Sequence, residues 1–330
     1  MSFSSISYKS LTCIELELTS KCALKCPRCS RTEYKGVYSI TDMPLDLIKK
    51  RIHSDSLKKF SDIILSGNYG DPIYHDHFLE VLKYLKSQNY RIEIETNASG
   101  KDTNFWKIVT SILDDKDVIT FSVDGLKDTN SIYRINSKWD SIQQAMEIAC
   151  KSRVQTEWKF IVFKHNQHQI EEAMSFAKSI GISEFVIVKS KLFGEIYLNK
   201  DGIDPLKPEE KWLPPSPFKN SSNQKFKILP KCLTKEKHFI SAEGYYFPCC
   251  WMAENYYINK SLFTKQEMQS LSLHNHSLKE ILQNETLKTL EKSWKNVLSA
   301  PSPCIKNCES KKTYRNNSRC AHKKTWHTLN

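Results

Sequence analysis

The chain has 330 residues, a formal net charge of +12, 39% hydrophobic and 11% aromatic residues. That balance excludes a disordered or fibrous chain and suits one large domain, or one with a smaller companion. No apolar run is long enough to cross a bilayer and the N-terminus lacks the build of a signal peptide, so a cytoplasmic protein is expected.

Residues 12–18, Thr-Cys-Ile-Glu-Leu-Glu-Leu, alternate apolar and polar, which predicts a strand running into Cys22-Ala23-Leu24-Lys25-Cys26-Pro27-Arg28-Cys29. A helix is predicted from about Pro44, with Asp42 as its cap and Leu45, Leu47, Ile48 and Ile52 as its apolar positions. Residues 60–66 form the second predicted strand, followed by helix 78–87, strand 91–96, helix 104–113, strand 118–123 and helix 141–150. Strand 158–163, helix 169–180 and strand 185–188 complete six strand–helix units. Such alternation predicts α/β architecture, a parallel sheet with helices outside it and ligands at the carboxyl ends of strands. By itself it fits a partial barrel or a flat doubly wound sheet.

Residues 199–230 change character, with Pro205, Pro208, Pro214, Pro215 and Pro217 followed by Asn220-Ser221-Ser222-Asn223, and read as a bridge. The expected organisation is residues 1–198, this bridge, and a C-terminal domain over 231–330. That last part holds Cys232, Cys249, Cys250, Cys304, Cys308 and Cys320, most of what remains of eleven cysteines outside the first cluster. Alternating residues 239–247 predict a β-hairpin turning at Glu243-Gly244. Leu278, Ile281, Leu282, Leu287, Leu290 and Val297 predict one amphipathic helix over 278–297. From Cys304 onward there are seven basic residues against one acidic residue, a tail suited to an acidic protein or to nucleic acid, although no nucleic-acid motif accompanies it.

Three thiolates on one short loop can hold three irons of a cubane, whereas a closed iron–sulfur site takes four cysteines. Cys22, Cys26 and Cys29 therefore leave one iron open. A zinc half-site or a redox pair explains Cys26 and Cys29 but not Cys22, and disulfides do not suit a reducing compartment.

The Cys-x3-Cys-x2-Cys spacing resembles that of the radical S-adenosylmethionine (radical SAM) enzymes, and four further segments resemble them in order. Ser66-Gly67-Asn68-Tyr69-Gly70-Asp71-Pro72 is similar to the family's Gly-Gly-Glu-Pro element, with Tyr69 for a glycine and Asp71 for glutamate. Glu95-Thr96-Asn97-Ala98 matches Thr-Asn-Gly, Ser122-Val123-Asp124-Gly125 matches Ser-x-Asp-Gly, and Tyr133-Arg134 resembles the pair beyond it. Arg28 stands where the family commonly has an aromatic that contacts adenine. The resemblance implies a partial (β/α)6 TIM-like barrel, a 4Fe–4S cluster on Cys22, Cys26 and Cys29, and SAM positioned by Gly70, Asp71, Asn97, Ser122, Asp124 and Arg134. Trp158, Lys159, Lys164, His165 and Lys189 would line the pocket mouth.

The Cys232, Gly244, Cys249 arrangement is similar to the start of SPASM and twitch extensions. It implies a small cysteine-rich hairpin-plus-helix domain with one auxiliary 4Fe–4S cluster on Cys232, Cys249, Cys304 and Cys308, with Cys250 and Cys320 as spare ligands. Structural zinc suits four cysteines equally by count. The family implies reductive cleavage of SAM to a 5′-deoxyadenosyl radical that abstracts a substrate hydrogen, with electrons from a flavodoxin or ferredoxin. The expected substrate is a peptide or protein, although only a short segment precedes Cys22 and no N-terminal peptide-recognition domain is expected. A small polar molecule such as a sugar, aminocyclitol or nucleotide is the alternative, and a non-catalytic zinc- and nucleic-acid-binding protein is the competing class.

Overall fold

The computed structural model describes residues 11–53, 61–190, 193, 195–213, 227–235, 237–259, 262–308 and 320–325. Strand β1 (Cys13–Leu16) leads to the cysteine loop and a single helical turn, α1 (Ser30–Glu33). Then follow α2 (Leu45–Arg51), β2 (Asp62–Leu65), α3 (Phe78–Ser87), β3 (Arg91–Thr96), α4 (Thr103–Ile112) and β4 (Val118–Ser122). Next come α5 (Asn130–Tyr133), α6 (Trp139–Cys150), β5 (Gln155–Ile161), α7 (Ile170–Ile180) and β6 (Glu184–Lys189). The C-terminal part adds α8 (Lys231–Lys235), β7 (Lys237–Ile240), β8 (Tyr246–Phe247), α9 (Cys250–Asn259), α10 (Lys265–Ser270), α11 (Leu278–Ile281), α12 (Glu285–Ser293), α13 (Ser302–Cys308) and β9 (Cys320–Thr325).

Parallel pairing joins β1 to β2, β2 to β3, β4 to β5 and β5 to β6. The fold is α/β: the six strands of the strand–helix alternation, β1 to β6, lie in chain order within an open sheet that β7 and β8 extend at one edge and β9 at the other. The chain divides into two compact units, one of Met1–Cys22, Glu33–Ile94 and Ser222–Tyr314, the other of Ala23–Thr32, Glu95–Ser221 and Arg315–Asn330.

In the first unit β1 lies between β2 and the C-terminal β7, which runs parallel to it with Glu15 opposite Phe239. Ile14 and Leu16 are fully buried on one face of β1, while Cys13 and Glu15 on the other are half-buried. The predicted hairpin forms as β7 and β8, antiparallel with Phe239 opposite Phe247. Its turn holds Gly244 at φ +77°, a conformation that glycine adopts without steric cost.

Two local expectations are corrected here. Asp42 does not cap α2: the cap position is Pro44, and Asp42 instead pairs with Lys21 at 2.7 Å and accepts the Thr19 hydroxyl. The single helix over 278–297 is two helices, because the Asn284 side chain accepts from Leu287 N at 3.0 Å and starts α12 afresh after α11.

In the second unit β9 runs antiparallel to β6, with Cys320 opposite Lys189. Trp106, Phe121, Trp158, Phe160 and Phe185 are fully buried in its core. Trp158 is thus a core residue, not one at a pocket mouth, and its indole N–H donates to Val123 O at 2.8 Å. The bridge reading falls partly on residues 214–226 and the basic-tail reading largely on residues 309–319 and 326–330, which lie outside the described residues. Among the described residues no helix is long and apolar enough to cross a membrane.

The loop after β2 passes so close to the end of β1 that an ideal Cβ on Gly70 would stand 1.8 Å from Thr19 O. Gly70→Ala is expected to lower the stability of the apoprotein by about 3 kcal/mol through overpacking against backbone. Gly36→Ala, at φ +87° in open space, should cost only about 1–2 kcal/mol. Denaturation midpoints check both, and a wild-type midpoint for Gly70→Ala would contradict the close approach.

Candidate active site

In the first unit the loop bearing Gly70 and Asp71 is bound to the chain beside Cys22. Asp71 N donates to Lys21 O at 3.0 Å, and the Asp71 carboxylate accepts from Ile73 N at 3.3 Å, starting the turn that presents Tyr74. Tyr74 lies within electrostatic reach of Cys22 and Asp71, and burial raises its pKa. Beneath the loop stands Glu17, one step beyond β1 and only 2% exposed. Its carboxylate accepts from Tyr69 N at 2.9 Å, from Ala242 N at 3.3 Å and from the Asn68 backbone. Burial outweighs these donors and pushes Glu17 up to about 7.

In the second unit the cysteine loop is seated on the segment that carries Arg134. Lys25 N donates to Ile135 O at 3.0 Å and the Asn136 amide to Ala23 O at 3.4 Å, while Cys29 N donates to Cys26 O at 3.2 Å. Cys26 is buried, its thiol pushed up to about 11 by desolvation, with Arg134 the main opposing charge. Arg134 donates through Nε to Asp124 Oδ2 at 2.7 Å. Asp124 is fully buried, and its other oxygen accepts Ile161 N at 2.7 Å. Both of its oxygens are engaged, one by Arg134 and one by the Ile161 backbone, so that Asp124 orients Arg134. Arg134 stays partly accessible beside Cys26, where a guanidinium suits a ligand's carboxylate.

Asn97 is buried and accepts Ser99 N at 2.9 Å, and Ala98 holds φ +56° where the resembling motif has glycine. Ser122 ends β4, half-buried and in register with Lys159. Lys159 pairs with Glu95 at 3.2 Å, Lys189 donates to Lys211 O at 2.7 Å, and Lys164 is exposed. His165 stacks on Phe163, with both ring nitrogens buried and without a hydrogen-bond partner, and burial lowers its pKa.

Arg28 is the largest departure from expectation. Its guanidinium is pinned by Asp204 in a buried ion pair and lies over the Tyr197 ring at 4.0 Å and the Phe193 ring at 5.2 Å. The chain itself thus supplies the surface on which Arg28 stacks. Alternation along β1 places Glu17 on the same face as Cys13 and Glu15, a signal in the sequence that singles it out. Asp204 and Tyr197 carry no such signal, since only the fold brings them to residue 28.

The C-terminal cysteines also converge. Cys232, Cys304 and Cys308 are buried, and burial together with one another's charge raises Cys232, while Cys249 is raised by burial, Cys250, Cys232 and Cys304. Cys304 is pushed up to about 12 by burial and then by Cys308. Buried thiols that oppose one another's ionisation are a donor set suited to a thiophilic cation or an iron–sulfur group. As placed, no three His, Cys, Asp or Glu side chains among the described residues form a ready metal cage. Cys250 turns its carbonyl to Asn68, and the Cys320 side chain lies outside the described residues.

Residues 16–182, just over half the chain, match the sequence profile of the radical SAM superfamily. The chain is similar to the tungsten-containing aldehyde ferredoxin oxidoreductase cofactor-modifying protein of Pyrococcus furiosus, 22% identical over 182 residues, or 52% of this chain and 49% of that one. It thus spans about half the length of that relative. In fold it is similar to native anSMEcpe with bound AdoMet (TM-score 0.57, 13% identity, 91% of this chain and 89% of that one). Streptococcus suis SuiB bound to precursor peptide SuiA is also similar (TM-score 0.56, 15% identity, 86% and 67%).

Two outcomes follow from the buried charges. Glu17 holds its proton in the folded state up to about 7 against an ordinary 4.5, so the stability it contributes is fully present below pH 4.5 and lost as pH rises to about 7. The loss amounts to roughly 3 kcal/mol; chemical denaturation across that range should show it in the wild type and a flatter profile in Glu17→Gln. Asp204→Asn, which removes the carboxylate from the buried Arg28 guanidinium, should cost about 3 kcal/mol, and Arg28→Met with Asp204→Leu should restore much of it. Equal losses in the single and double variants would contradict a buried pair.

Proposed function

Since the chain belongs to the radical SAM superfamily, we propose that it cleaves S-adenosylmethionine reductively and abstracts a hydrogen from a peptide or protein, assisted by a second iron–sulfur cluster. Family membership brings a 4Fe–4S cluster, SAM, a reductant and a substrate. When bound and reduced, the cluster supplies the electron that turns SAM into the hydrogen-abstracting 5′-deoxyadenosyl species.

The observation that carries the reading is Cys26, buried in its loop with Arg134 beside it and Asp124 fixing that guanidinium. Cys22, Cys26 and Cys29 are the proposed cluster ligands. Arg134 grips the methionine carboxylate of SAM, Gly70 and Asp71 receive its amino group, and Asn97 and Ser122 complete the contacts. Asp124 holds Arg134 in place, and the neighbouring Tyr133 packs its buried ring against Phe163.

Cys232, Cys249, Cys304 and Cys308 are proposed to hold the auxiliary 4Fe–4S cluster, which accepts an electron from the substrate or binds it. Their gathering in one buried region, close enough to act on one another's charge, supports the reading. The peptide reading is supported by the likeness to SuiB bound to its precursor peptide. The net charge of +12 suits a flavodoxin- or ferredoxin-type donor.

The test is anaerobic 5′-deoxyadenosine formation from SAM by the reconstituted protein, with Cys26→Ala as the blank and size-separated cell extract as the substrate source. Stimulation by the macromolecular fraction is expected. Stimulation by the small-molecule fraction alone would move the substrate to a sugar or nucleotide, and a colourless, zinc-loaded protein equal to its blank would sink the enzyme reading. Arg134→Lys should raise KM for SAM about tenfold while changing kcat less, because one ammonium cannot replace a bidentate fork.

A further inference from the structure

The loop after β2 departs from the pattern it resembles at Tyr69, and the structure accounts for that departure. Tyr69 is absent from the positive-φ positions, so its backbone does not require glycine. Its ring is buried, stacked on Tyr38 at 4.0 Å and edge-on to Tyr257 of α9 at 5.6 Å. Tyr257 in turn donates to the hairpin, at Ser241 Oγ (3.0 Å) and Glu243 (3.1 Å). Asn68, the neighbouring residue, donates its side-chain amide to Cys250 O at 2.9 Å, one residue past Cys249. Glu17 joins the same two segments from below, accepting Tyr69 N on one oxygen and Ala242 N of the hairpin on the other.

The loop has little room to drift out of this arrangement. An ideal Cβ on Gly67 would stand 2.6 Å from Glu17 Oε1, and the corresponding position on Gly70 is closed by Thr19 O. Three independent ties thus run from residues 67–70 to the segment that carries Cys249 and the hairpin: an amide to a carbonyl, an aromatic contact and a shared carboxylate.

We propose that Asn68 and Tyr69 are positioning residues which clamp the SAM-receiving loop to the Cys249–Tyr257 segment, so that the C-terminal cysteine site and the methionine end of SAM are held as one element. This rests on the SAM reading of Gly70 and Asp71 above. By linkage, filling the C-terminal site tightens SAM binding and SAM tightens the C-terminal site by the same factor.

The experiment uses the anaerobically reconstituted full chain. Equilibrium binding of SAM, iron per chain, steady-state KM and kcat, and amide hydrogen exchange are measured for wild type, Asn68→Ala, Tyr69→Ala and Tyr69→Phe. Asn68→Ala and Tyr69→Ala are expected to weaken SAM binding about tenfold and to raise KM in step, the effect of losing about 1.4 kcal/mol. Iron content and kcat at saturating SAM should stay within about twofold of wild type, a split that general destabilisation does not produce. Tyr69→Phe keeps both ring contacts and loses a hydroxyl that has no hydrogen-bond partner, so it should bind SAM as wild type does. Exchange should accelerate together in residues 67–72 and 249–259 of Asn68→Ala. Combining Asn68→Ala with Cys304→Ala should weaken SAM no further than either change alone.

Unchanged SAM affinity in both alanine variants, exchange confined to one segment, or additive effects in the combined variant would each overturn the clamp while leaving the superfamily chemistry standing. A wild type that neither binds nor cleaves SAM despite full iron loading would instead overturn the functional reading itself, and the clamp with it.

Discussion

A carboxylate buried at the end of a strand must find donors, and Glu17 finds them in two places at once. The unsatisfied alternative costs several kcal/mol, so the loop after β2 and the hairpin turn are both drawn to the end of β1. The close approach leaves no room for a side chain at Gly67, against Glu17 itself, or at Gly70, against the Thr19 backbone. The same carboxylate meets the end of β7, which lies parallel to β1. Glu17 thus ties the loop after β2 to the hairpin at the end of the strand that leads to Cys22.

The second unit is organised by two arginines with opposite duties. Arg134 is oriented through Nε by a carboxylate that is itself locked by Ile161 N, which leaves it a presented cation beside Cys26. Arg28 is consumed internally: Asp204 takes its charge, and Tyr197 and Phe193 take its flat faces. A buried ion pair adds little net stability over an apolar pair of the same shape, but losing one partner costs much. Such a pair specifies where residues 193–204 lie against the cysteine loop. The aromatic that resembling chains place beside the third cysteine is thus replaced by a guanidinium that gathers aromatics from elsewhere in the chain.

The C-terminal cysteines follow the same logic in sulfur. Thiols buried together oppose one another's ionisation, and each keeps its proton unless a shared cation takes its place. Their region is bonded to the loop with the Gly-Asp-Pro sequence through Asn68 and Tyr69, residues that look arbitrary in the primary structure. A chain that binds a reactive cofactor gains from such wiring, because a site held from both sides excludes water and misplaced substrate.

Local pattern was sufficient for much of the molecule. Period-2 and period-3.6 alternation laid out the six strands, their helices and the hairpin turn at Gly244, because side-chain periodicity is dictated by backbone geometry. The spacing of Cys22, Cys26 and Cys29 pointed to the superfamily whose profile residues 16–182 match, because that spacing lies within one short loop. Local pattern failed where a nearby competitor won: Asn284 restarted a helix that hydrophobic spacing ran through, and Asp42 was taken by Lys21 and Thr19. Only the tertiary structure assigned Asp124 to Arg134, Arg28 to Asp204, Tyr69 to Tyr257 and Glu17 to Ala242. Each of these partners is chosen by burial, where a charge, a polar group or a ring must meet its complement, and no spacing along the chain records which distant residue that will be.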